Sequence, residues 1–106
     1  MPRWSCPVRL KNFHKAPAAS GVYEIGFCRG RFVPRYIGMS ESNAGIRGRL
    51  QNHATGSHNE DIFFYRIFAQ RDNLYCRWQV VENAREREAR LLNRKSYAWN
   101  RRIEKL

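Results

Sequence analysis

"GVYEIGFCRGRFVPRYIGM", Gly21 to Met39, decides the fold. Two runs rich in β-branched and aromatic residues, 21–27 and 32–39, flank the polar, glycine-containing "CRGR" of 28–31. That pattern predicts a β-hairpin. Pro34 removes a backbone donor early in the second run, which suits an edge position or the start of a strand.

Working outward, residues 1–20 hold three of the four prolines and little periodicity. They read as an irregular lead-in packed by Trp4, Val8, Leu10 and Phe13. Downstream, "SESNAGIRGRLQNHATG" (40–56) predicts a helix with Ser42 or Asn43 as N-cap and an end near Gly56. Gly45 and Gly48 weaken it by about 1 kcal/mol each relative to alanine. Ile46, Leu50 and His53 share one face, Arg49 lies at its edge and Arg47 points away. "DIFFYRIFAQRDNLYCRWQVV" (61–81) fits two strands about an "RDN" turn or a short helix followed by a strand, and its second half is the firmer strand. Asn83 and Glu86 have the spacing of a capping box and open a helix over 84–95. Tyr97 and Trp99 anchor the closing "SYAWNRR". The order predicts a single α/β (α+β) domain over 1–106, a small sandwich whose central, mostly antiparallel three-stranded sheet is flanked by helices.

A chain of 106 residues can bury one core and little more. Twenty Lys and Arg against nine Asp and Glu give a net charge of +11, most of the excess being arginine, whose planar fork pairs bidentately with phosphate. The basic residues are interleaved with aromatics along the chain, which points to a nucleic-acid partner rather than a solubilising tail. Cys6, Cys28 and Cys76 are odd in number and contain no Cys-x-x-Cys pair, against a disulfide framework or a structural zinc site. No apolar run has the length of a signal peptide or a membrane span, so a cytoplasmic or nucleoid protein with no membrane partner is expected. His14 and His58 sit in polar, loop-like stretches and read as surface residues.

Three kinds of polar group fall where the pattern wants apolar ones. Glu88 lies on the stripe of Ala84, Leu91, Leu92 and the stem of Lys95, while Glu82 and Glu86 rotate toward solvent. A carboxylate buried there must be paired, protonated or metal-bound, and a salt bridge to one of the many arginines satisfies it as simply as a metal does. Arg49 and His53, four residues apart, stack on neighbouring turns. Tyr23 and Tyr36 stand one on each strand of the hairpin.

The same residues resemble a known constellation. "GVY" at 21–23 and "YIG" at 36–38, then Ser40, the Arg49/His53 pair, Glu88 in "EARLL" and Asn100 in "WN", look like the GIY-YIG nuclease superfamily over residues 21–100. Two positions depart from the pattern: Val22 stands for isoleucine, and Tyr97 stands where many members carry a proline three residues before the final asparagine. The resemblance implies a metal-dependent DNA endonuclease that hydrolyses phosphodiester bonds. Glu88 would be the protein ligand of one Mg²⁺ or Mn²⁺. Arg49 would stabilise charge building on the phosphate. Tyr23 is the favoured base toward a water, with Tyr36 and His53 orienting it or sharing the proton, and the reverse assignment is open. Asn100 would fix the final segment by hydrogen bonds, and Gly21 and Gly38 would let backbone and phosphate come close. Gly38, Ser40, Arg47, Arg49 and Lys95 are the expected contacts to double-stranded or branched DNA, as a monomer or a dimer. A non-catalytic nucleic-acid-binding module of the same fold and a small RNA-binding protein are the competing expectations.

Overall fold

The computed structural model describes residues 3–56, 59–64 and 74–100. Seven regular elements and one 3-10 turn follow in order: β1 (Val8–Arg9), the turn Leu10–Lys15, β2 (Gly21–Cys28), β3 (Phe32–Ser40), α1 (Gly45–Gly56), α2 (Glu60–Phe64), β4 (Leu74–Val80) and α3 (Ala84–Arg94). The strands form one sheet in the order β1-β4-β2-β3. Every pairing in it is antiparallel.

The hairpin forms as expected, and β3 is the edge strand that Pro34 demands. Its register slips where Ile25 pairs with Tyr36 but Gly26 pairs with Pro34, leaving Arg35 as the extra residue of a bulge. The sheet has four strands rather than three. The additional one is β1, two residues long and so too short to show a period of two; Val8 pairs with Cys76 and Arg9 with Tyr75. Ser5 extends that edge, its N–H donating to the Trp78 carbonyl at 2.9 Å and its hydroxyl accepting from the Trp78 N–H at 3.0 Å.

The central strand β2 is buried on both faces from Gly21 to Gly26, because helices cover both sides. Tyr23, Ile25, Ile46, Leu50, Leu74, Cys76 and Trp99 make one core under α1. Val22, Ile37, Leu91 and Tyr97 make a smaller one under α3. The lead-in packs as expected, with Leu10 in the first core, Val8 and Phe13 against it and Trp4 against the second.

How α1 begins fixes where its side chains point. Its first backbone donors have no helical acceptor. Here the Ile46 N–H donates to Ala19 O at 2.9 Å and Arg47 N–H to Pro17 O at 3.1 Å, so the lead-in carbonyls supply the missing turn. Ser42 is the capping side chain, accepting from Gly45 N–H at 3.3 Å. Gly45 adopts φ +65° and lies against Ala18 and Ala19, where a Cβ would collide with backbone.

The capping box at α3 does not form. Asn83 is the N-cap residue, but its side chain makes no capping hydrogen bond at φ −98° and ψ 68°. In the stretch 61–81, a short helix precedes the strand. The "RDN" segment and His58 lie outside the described residues.

Candidate active site

Cross-strand pairing sets Tyr23 opposite Gly38, and Ile25 opposite Tyr36. As the partner of Ile25, Tyr36 stands on the α1 side, packed against the core that contains Tyr23, and the bulge at Arg35 follows directly beside it. A Cβ at Gly38 would fall within the Tyr23 ring. That glycine therefore makes room for a phenol. Gly21 likewise serves packing: a Cβ there would meet the Gln79 carbonyl and the Ile46 side chain.

His53 reaches the same spot from α1, buried at 9% exposure. Its Nε2 lies 3.0 Å from the Tyr23 hydroxyl. The imidazole centroid is 5.6 Å from that of Tyr23 and 5.2 Å from that of Tyr36, while the two phenol rings are 6.3 Å apart. Three titratable rings thus share one wall of the core.

Two opposite charges act on them. Burial pushes the Tyr23 hydroxyl well above its usual value, Tyr36 and Glu88 raise it further, and the Arg49 guanidinium pulls it down. Tyr36 is also raised, first by burial and then by Glu88, while Arg49 and its hydrogen bond with Tyr23 lower it. Desolvation outweighs the single arginine. Tyr23 is 1% exposed, whereas Tyr36 is only partly buried.

Glu88 is half-buried, not a core residue. The inward stripe of α3 runs Ala84, Arg87, Glu88, Leu91 and Leu92, of which Ala84 and Leu91 are buried and the others half-buried, while Arg87 donates to buried Gln79 at 3.0 Å. Arg49 is exposed and lines a cleft of about 510 Å³ together with Ser40, Ser42, Asn52 and Arg85. Ser40 itself is buried, its hydroxyl accepting from Ser42 N–H at 3.3 Å. Arg47 turns to the lead-in, donating through Nε to Ala16 O at 2.7 Å. Lys95 turns to Glu24, with Nζ 3.4 Å from Oε2.

Asn100 closes the site from the far edge of β3. Its Oδ1 accepts from Ile37 N–H at 2.8 Å and its Nδ2 donates to Ile37 O at 2.9 Å. The side chain thus imitates a neighbouring strand.

A single carboxylate near enough to raise both phenols is a hard oxygen ligand, which fits a divalent cation that keeps several waters. Among the described residues no group of three or more His, Cys, Asp or Glu side chains forms a metal cage. A cation here would rest on Glu88 as its protein ligand.

Among the described residues the carboxylate that is buried completely is Glu24, at 0% exposure, which the sequence reading passed over. Arg77 donates to its Oε1 through Nε at 2.8 Å and also lies 2.8 Å away through Nη2, and Tyr97 donates to Oε2. Strict alternation along "VYEI" was the available signal. If Tyr23 and Ile25 face one core, Val22 and Glu24 face the other.

A family model described as GIY-YIG domain-containing protein matches residues 5–105. No curated protein and no solved structure matches the chain.

Proposed function

The chain belongs to the GIY-YIG family, whose members are nucleases, and from that premise we propose that it is a DNA endonuclease whose divalent cation is held by Glu88. The observation that carries this is the convergence of Tyr23, Tyr36 and His53 on one wall, under the opposed charges of Glu88 and Arg49. A binding module gains nothing from a carboxylate charge beside two phenols, since that charge repels phosphate.

Tyr36 is the better base. A general base must touch the water whose proton it takes, and Tyr36 is the phenol with partial exposure. The hydrogen bond between the phenols lowers Tyr36 and raises Tyr23. Tyr23 then donates to the Tyr36 oxygen and steadies it as a phenolate, while His53, protonated on Nε2, donates to Tyr23. Arg49 sits where it can pair with the phosphate and offset the charge that grows on it. The bound cation would polarise a phosphate oxygen and supply positive charge to the transition state.

No helix of the described residues is long and apolar enough to cross a membrane. The three free cysteines suit a reducing, cytoplasmic setting. Incubating supercoiled, branched and linear DNA with wild type and Glu88→Ala, with and without Mg²⁺ or Mn²⁺, tests the proposal. Cleavage that needs both Glu88 and the cation is expected. Equal cutting by the variant removes Glu88 from the chemistry, and tight binding without cutting by the wild type leaves the binding module.

A further inference from the structure

The segment after α3 grips β3 on both sides of Tyr36. Trp99 N–H donates to the Arg35 carbonyl at 2.8 Å, and Asn100 pairs with both backbone groups of Ile37. Arg35 is the bulge residue next to Tyr36, outside the regular ladder. The Trp99 carbonyl is held in turn by Asn59 Nδ2 at 2.7 Å, and the Trp99 ring packs edge-on to Phe27 at 5.4 Å. An edge strand is otherwise a row of open donors and acceptors. Here a short strap occupies that row on either side of one tyrosine.

The strap has its own anchor on the opposite face of the sheet. Tyr97 donates to Glu24, and Lys95 reaches the same oxygen. Glu24 pairs across the ladder with Ile37, so the anchor lies directly beneath the residue that Asn100 holds. Arg77 pairs with the carboxylate, and its guanidinium is stacked between Trp4 at 4.6 Å and Phe32 at 4.8 Å. Burial and the Glu24 carboxylate push the Tyr97 hydroxyl up, so it remains a donor. Lead-in, β2, β4, the end of α3 and the strap therefore meet at one buried carboxylate.

We propose that Glu24 and Tyr97 are positioning residues for Tyr36, acting through a strap of Tyr97 to Asn100 that holds the backbone of Arg35 and Ile37. The catalytic half of this statement rests on the proposed nuclease function; the mechanical half does not. Freeing the strap leaves Tyr36 on an unclamped bulge, and small displacements of a reacting group are costly in rate.

Tyr97→Phe tests it with the least disturbance, because Glu24 keeps Arg77 and Lys95; Glu24→Gln removes the hub charge as the harsher second variant. Two measurements are made on each folded variant: amide hydrogen exchange at Ile37 and Trp99, and cleavage under single-turnover conditions beside DNA affinity. Exchange at both amides is expected to quicken by about tenfold, with the Ile46 amide at the start of α1 unchanged. The cleavage rate should fall roughly tenfold to a hundredfold at constant affinity. Unchanged exchange at Ile37 and Trp99 overturns the strap whether or not the protein cuts DNA. Faster exchange with an unaltered cleavage rate overturns its role in placing Tyr36. A wild type that cuts nothing defeats the nuclease function, and the exchange result alone then decides the strap.

Discussion

Which phenol acts as base can be settled at the level of single atoms. The Tyr36 hydroxyl lies above its usual value of 10.0, with burial as the leading cause. Its active form is the phenolate, so at neutral pH only a small fraction is competent, and each step up in pH enlarges it. The cleavage rate is therefore expected to climb about tenfold per pH unit from about pH 7 to about pH 9. Tyr36→Phe should remove both the rate and the slope. Tyr23→Phe should keep the slope at a reduced rate, because Tyr23 only steadies the neighbouring oxygen; loss of the slope in Tyr23→Phe alone reverses the assignment. Gly38→Ala provides a structural counterpart. The added methyl group enters the Tyr23 ring, and overpacking of this kind costs about 1–3 kcal/mol. A lowered melting temperature together with slowed cleavage is expected, and a variant of wild-type stability would mean that the ring moves aside freely.

At the level of elements, what the sequence disclosed depended on the length of each pattern. The hairpin of 21–39, α1 and α3 each run long enough for period and punctuation to speak. The two residues of β1 do not. The α3 stripe places Glu88 among apolar neighbours, and it does stand between Ala84, Leu91 and Leu92, but only half covered. Glu24 is the converse case. A strand covered by helices on both faces buries every side chain, so the alternation that sets Glu24 beside Val22 marks it as buried only once both faces are known to be covered. The Asn83/Glu86 pair had capping-box spacing, but spacing cannot report the dihedral angles that turned the Asn83 side chain away. Asn83→Ala is accordingly expected to change stability by less than about 0.5 kcal/mol, where a working cap would cost about 1 kcal/mol. Denaturant midpoints decide between them. In β4, burial pushes the Cys76 thiol up to about 12 from 9.0. The folded state holds this proton longer than the unfolded chain does. Its contribution is thus complete below pH 9 and is lost as pH rises toward 12, at about 1.4 kcal/mol per pH unit. Cys76→Ala should flatten the stability curve between about pH 9 and about pH 10.

For the molecule as a whole, the excess of +11 is distributed unequally between inside and outside. Arg77 and Lys95 neutralise Glu24 within the fold, and Arg87 is taken up by Gln79. Among the described residues, Arg49, whose charge acts on Tyr36, and Arg85 are exposed and line the same cleft. Arg85 lies 3.5 Å from Glu41, with the two side chains 75% and 44% exposed. Such a surface pair is weak and screened by salt, so Arg85 can exchange Glu41 for a phosphate at little cost. The +11 charge announced a polyanionic partner in the sequence, but which arginines remain available to it became visible only in the fold. Log affinity for duplex DNA should fall linearly with log salt, by about 0.9 for each phosphate neutralised. Arg85→Ala is expected to reduce that slope by about 1 with the single-turnover cleavage rate unchanged, because Arg85 would grip the backbone without touching the reacting phosphate. Arg49→Ala should lose cleavage and keep most of its binding. If Arg85→Ala leaves the slope untouched, the duplex does not cross this cleft and the approach to Tyr36 must come from the other side of α1.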